Sequence, residues 1–165
     1  MRTSKSSGKP FTEASIDQID SWSRDVFVAL SGWAAMLNGR WTRWDEGYLL
    51  LEIDQPRDEP IEPVLIDTAD DQIRVEFGYW EMDFPDQALD AEGAAQEMIA
   101  LVSDWLSGAI RTAVFTNDAG DWCGSMLVEQ GASIPPAPSE GMLSFKPSAV
   151  ELRSPHKQVW KTYAV

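Results

Sequence analysis

The chain has 165 residues, 44% of them apolar and 24% charged, which suits one compact soluble domain. Aspartate and glutamate total 27 against 13 lysines and arginines, a net charge of -14, so sequence-independent binding to nucleic acid or to an anionic membrane is disfavoured. One cysteine, Cys123, and one histidine, His156, exclude an internal disulfide, a multi-thiolate metal site and a His–His metal pair.

Residues 1–12, rich in Ser, Lys and Gly up to Pro10, read as a flexible N-terminal tail before a single domain over 13–165. No apolar run of signal-peptide length follows the basic start, and none approaches the ~20 residues of a membrane-spanning helix. A cytoplasmic, reduced location is therefore expected. Residues 14–37 show a helical period, with Ile16, Ile19, Trp22, Val26, Phe27, Leu30, Trp33, Ala34 and Leu37 on one side. Thr12 or Ser15 is the expected cap, Ser31-Gly32 a place for a bend, and Asn38-Gly39 the stop.

Strands follow. Tyr48 to Asp54, Pro63 to Thr68 and Gln72 to Tyr79 form an expected antiparallel meander, with Asp70-Asp71 as one turn. In the third run Ile73, Val75, Phe77 and Tyr79 alternate against Arg74, Glu76 and Gly78. A second helix starts at Asp90, carries Ala94, Ala95, Met98, Leu101, Val102, Trp105 and Leu106 on one face, and stops at Gly108. Ile110 to Thr116 and Trp122 to Glu129 read as a hairpin around Asn117-Asp118-Ala119-Gly120. SIPPAPSEG is a loop, and Met142 to Phe145 and Val159 to Tyr163 are short terminal strands. The expected fold is α+β in the order α-β-β-β-α-β-β, a mostly antiparallel sheet of about five strands with two main helices.

Catalytic signatures are scarce. His156 sits in the polar stretch SPHKQ, no G-x-S-x-G elbow occurs, and Cys123 lies mid-strand, where a small buried side chain is usual. No phosphate-binding glycine loop is present. Asn117 to Asp121 is explained by a hairpin turn, and Asp67, Asp70 and Asp71 by a solvated turn, before either is read as a cation site. No metal, no cofactor and no catalytic residue is expected. The enzyme reading that survives is a carboxylate-pair hydrolase, for example on a glycan, with Glu81 and Asp83 facing one side beside Trp80.

The charge is unevenly distributed. Residues 45–109 hold eighteen acidic groups and only Arg57 and Arg74 as bases, whereas 110–165 hold five of each sign. Two stretches within that acidic segment or at its start interleave aromatics with charge: WTRWDEGY from Trp41 and GYWEMDFPD from Gly78. Large aromatics ringed by carboxylates have the composition of an interface for a basic partner. The candidate partner-binding residues are Trp44, Asp45, Glu46, Trp80, Glu81, Asp83, Phe84 and Asp86. The bland alternative is that the tryptophans cover a sheet edge while their neighbours face water.

A small, acidic, Trp-rich α+β chain without catalytic groups, with segments such as EGYLLLEID and AVFTNDAGDWCGSMLVE, resembles the immunity proteins of bacterial polymorphic-toxin systems. That resemblance implies a non-enzymatic protein that blocks a cognate toxin, often a basic nuclease or deaminase, with no direct contact to nucleic acid or membrane. An acidic inhibitor imitating nucleic acid is the variant of this expectation.

Overall fold

The computed structural model describes residues 8–44, 46–54, 63–77, 79–84, 90–133, 147–155 and 163–164. In chain order the elements are β1 (Lys9–Pro10), α1 (Ser21–Met36), β2 (Arg40–Arg43), β3 (Leu49–Ile53), β4 (Val64–Asp67), β5 (Ile73–Phe77), β6 (Trp80–Phe84), α2 (Ala91–Ser107), β7 (Ile110–Thr116), β8 (Trp122–Glu129), β9 (Ala149–Arg153) and β10 (Tyr163–Ala164). The described strands form a six-stranded sheet, β1-β2-β3-β4-β5-β6, and a four-stranded sheet, β10-β9-β7-β8. The fold is α+β with antiparallel pairing. The chain gathers into two compact units, Met1–Phe77 with Glu81–Ile99, and Gly78–Trp80 with Ala100–Val165. Among the described residues no helix is long and apolar enough to cross a membrane.

In the first unit, α1 begins later than its apolar period implies. The Asp20 carboxylate accepts the Ser23 N–H at 2.7 Å and caps the helix, so Thr12 and Ser15 do not. Residues Glu13–Gln18 form a separate 3-10 turn, ended by the extended backbone of Ile19. Ser31-Gly32 leaves α1 unbroken. At the far end Asn38 adopts a φ of 54°, and the Gly39 N–H returns to the Ala34 carbonyl at 2.8 Å. A side chain at Gly39 would stand 2.7 Å from the Leu51 Cδ1, which is why glycine sits where helix meets sheet.

The sheet face under α1 is apolar because the register aligns like with like. Leu51, Ile66 and Val75 are cross-strand partners, and Leu49, Ile53, Val64, Ile73 and Phe77 are buried with them. One polar chain crosses this core. The Thr68 hydroxyl accepts the Leu49 N–H at 2.9 Å and meets the Ser23 hydroxyl at 2.5 Å, and Ser23 in turn donates to Asp20 at 2.9 Å. It ties the helix cap to the strands and leaves no buried hydroxyl unpaired along it.

The tail expected over 1–12 is ordered in its last residues. Lys9 and Pro10 pair with Arg43 and Thr42, and the Phe11 N–H reaches the Trp41 carbonyl at 3.0 Å. The Phe11 ring is buried against Phe27, 5.1 Å between centroids, and Phe27 meets Trp41 edge-on at 5.2 Å. Burying one phenylalanine contributes about 2 kcal/mol, enough to draw a short polar segment onto the sheet.

The meander departs from expectation at its end. Ile73, Val75 and Phe77 are buried as predicted, but Tyr79 has a φ of 70° and is 40% exposed, so it leaves their row. The chain turns there into β6, a strand the sequence did not announce.

α2 keeps the sequence-derived limits. Asp90 caps it through the Gly93 N–H at 2.8 Å, and Gly108, with a φ of 82°, ends it. In the second unit Trp105 is buried and its indole N–H reaches the Thr112 hydroxyl at 3.3 Å. The β7–β8 hairpin forms as expected, with the Asn117 side chain accepting the Ala119 and Asp121 N–H groups at 2.9 and 2.8 Å. Ala113, Phe115, Val128 and Val150 make its core, against which Cys123, Met126 and Leu152 pack. Met142 to Phe145, His156 and residues 159–162 lie outside the described residues.

Candidate functional site

Alternation along the strands gives the six-stranded sheet a second, outward face. Register places Thr42, Leu50, Asp67 and Arg74 in one row, and Arg40, Glu52, Leu65 and Glu76 in the next. Arg74 donates to both oxygens of Asp83, at 2.7 and 3.4 Å, which carries the first row onto β6. Glu81, two residues earlier on that strand, faces the same way. Asp54 follows Glu52 at the same alternation and is held by Arg40, which also reaches Glu52 at 2.9 Å.

The face thus presents six carboxylates, Glu52, Asp54, Asp67, Glu76, Glu81 and Asp83, with Arg40 and Arg74 between them and the half-buried Leu50 and Leu65 as its apolar floor. The hydrogen bond from Arg40 to Asp54, with the charge of Glu52, pushes the Arg40 pKa upward. Its hydrogen bond to Asp83 does the same for Arg74. Both guanidiniums stay charged through the whole working pH range. A cation with a raised folded-state pKa gives its stabilisation below its unfolded pKa and loses it only in strong alkali, so neither ion pair makes the fold pH-sensitive near neutrality.

The sequence-derived site residues are only partly brought together. Trp44 stacks on Tyr48, 5.7 Å between centroids, across a turn closed by Trp44 N–H to Tyr48 carbonyl and Gly47 N–H to Trp44 carbonyl bonds, both 3.0 Å. Glu46 is exposed on the same turn, where Gly47, at a φ of 96° and 3.4 Å from the Asp20 nitrogen, allows the close approach. That turn joins β2 to β3, whereas Glu81 and Asp83 lie on β6, four strands from β2 or about 19 Å away. The two aromatic-acidic stretches do not converge.

Phe84 is 4% exposed and belongs to the core, so it is no surface anchor: its alternation puts it with the buried side of β6. Trp80 is half-buried at the head of that strand, while Asp45 and Asp86 lie outside the described residues. Trp41, grouped with the edge tryptophans from sequence, packs against Phe27 instead.

Glu81 and Asp83 share a face as expected, but both oxygens of Asp83 are taken by Arg74, the geometry of a structural ion pair rather than of a proton donor. Among the described residues no three His, Cys, Asp or Glu side chains gather to hold a metal ion.

No family model, curated protein or solved structure matches the chain. The outer face carries fixed charge of one dominant sign on a six-stranded sheet. Sequence reasoning missed Glu52, Asp54, Asp67 and Glu76 as companions of Glu81 and Asp83. Alternation within each strand was the available signal, but which rows coincide depends on register.

Proposed function

We propose that the chain is a non-enzymatic acidic binding protein whose outer sheet face masks a basic surface of a partner protein, as an immunity-type inhibitor of a bacterial toxin does in the cytoplasm. The supporting observation is the clustering of six carboxylates against two arginines on one face of one sheet. Such a face attracts a basic partner over distances longer than direct contact and orients it before docking. A basic nuclease or deaminase domain has the complementary surface. The interleaved Arg40 and Arg74 favour a protein partner over the part of a nucleic-acid mimic, which needs carboxylates spaced like phosphates without cations between them.

The test is capture of a basic partner by pull-down from the native host, or from an adjacent gene if that encodes one, followed by stopped-flow mixing at rising salt. Glu76→Gln with Glu81→Gln should slow association and flatten its salt dependence, because both carboxylates are exposed. Leu65→Ala, on the half-buried apolar floor of the same face, should chiefly speed dissociation, by about 2 kcal/mol if this side chain anchors the interface, whereas Trp80 lies by alternation on the side of β6 that carries Phe84. Unchanged rates in both variants would leave the face as a solvated acidic surface.

A further inference from the structure

The outward side of α1 is unlike a solvated helix face. From Val26 to Met36 the helix carries no charged residue, and its inward side is already filled by Val26, Leu30 and Ala34. Pointing the other way, at helical spacing, are Asp25, Val28, Gly32 and Met36. Val28 is 65% and Met36 75% exposed, the highest values among the large apolar side chains described. A helix that is apolar on every side is ordinarily covered on every side. Nothing stands within 4 Å of a side-chain carbon built on Gly32, so another backbone can approach closely there.

The same side opens into a cleft of about 580 Å³ between α1 and the start of α2. Val28, Ala29 and Ala91 line it, and Asp25, Asp90 and Glu92 supply its charge. Asp90 uses one oxygen to cap α2.

We infer that this face docks a basic amphipathic helix of a partner protein, its apolar stripe laid along Val28, Gly32 and Met36 and its lysines or arginines directed to Asp25, Asp90 and Glu92. Charge selects the occupant. A second copy of this chain would bring the same three carboxylates to the same rim, and an anionic lipid surface would be repelled by them. The face belongs to the helix layer, on the side turned away from the sheet, so it does not depend on the acidic sheet face being an interface.

The test uses the full chain, isotope-labelled for NMR, with a synthetic helical peptide carrying Leu and Ala along one stripe and Lys on its flanks, beside a twin with Glu for Lys. The lysine peptide should shift resonances within 25–36 and 90–96, and the glutamate twin should bind more weakly, on the order of tenfold. Gly32→Gln fills the approach while improving helix propensity, so circular dichroism should report an intact fold as peptide binding is lost. Glu76→Gln with Glu81→Gln should leave peptide binding unchanged. Three results would overturn the inference: shifts confined to the β2–β6 outer face or absent, equal peptide affinity for the Gly32→Gln chain, or a concentration-dependent dimer of the free chain that Gly32→Gln dissolves.

Discussion

The six-stranded sheet carries six carboxylates and two arginines on its outer face, whereas β7, β8 and β9 of the four-stranded sheet carry Arg111, Glu129, Glu151 and Arg153, two of each sign. Both sheets are antiparallel and both bury apolar rows, so folding requirements do not account for the difference. In the neutral sheet Arg153 is used locally, 3.3 Å from Glu151 and 4.1 Å above the Tyr79 ring. In the acidic sheet the arginines are outnumbered and a surplus of carboxylate remains. Strand register thus gathers six carboxylates against two arginines on one surface, a local excess of four of the chain's 14 net negative charges.

Apolar burial stabilises both sheets, and the proposed binding face lies on the outside of the acidic one, so substitutions can separate the two roles. The largest effect is expected at Trp105, fully buried in the second unit. Trp105→Ala should cost about 3–5 kcal/mol in urea unfolding, and a loss near zero would remove it as that unit's anchor. Thr68→Val in the first unit should cost about 1–3 kcal/mol, because the Leu49 N–H and the Ser23 hydroxyl lose their shared partner. Gly32→Ala, at an exposed mid-helix site with open space, should raise stability by about 1 kcal/mol.

The smallest effect sharpens the contrast most. Arg74→Gln removes a half-exposed ion pair with Asp83 and should change stability by less than about 1 kcal/mol. A loss as large as that of Thr68→Val would make the acidic face a structural device instead of a binding one. Hydrogen exchange gives an independent reading. Added salt screens repulsion beyond about 10 Å at 0.1 M, so amides of β3–β5 should slow their exchange slightly while those of β7–β9 stay unchanged.

Long, strongly patterned elements were legible in the sequence. α2 and the β7–β8 hairpin match their expected limits closely because apolar period and turn residues agree there. The short strands β1, β2, β6 and β9 were not legible. RWTR and WEMDF mix charge with aromatics over four or five residues, too few for alternation to stand out, and they exist because a neighbouring strand completes their hydrogen bonds. Phe11 was hidden inside a polar, lysine-bearing segment, and only the Phe27 and Trp41 rings reveal what it packs against. The candidate site was half legible. Acidic composition located Glu81 and Asp83, but pairing register, a long-range property, assembled them with Glu52 and Glu76.

The sheet edges carry one more consequence. β1 has two residues, one of them a proline without a backbone N–H to offer, and β6 sets Glu81 and Asp83 along the opposite border. A foreign strand finds few donors at the first border and charge repulsion at the second. β8 has eight residues, Glu129 as its only charge and, among the described residues, no strand on its outer side. When the protein is heated or destabilised, β8 is where intermolecular sheet growth would start, and a lysine in place of the exposed Trp122 is the substitution expected to delay aggregation while sparing the acidic sheet.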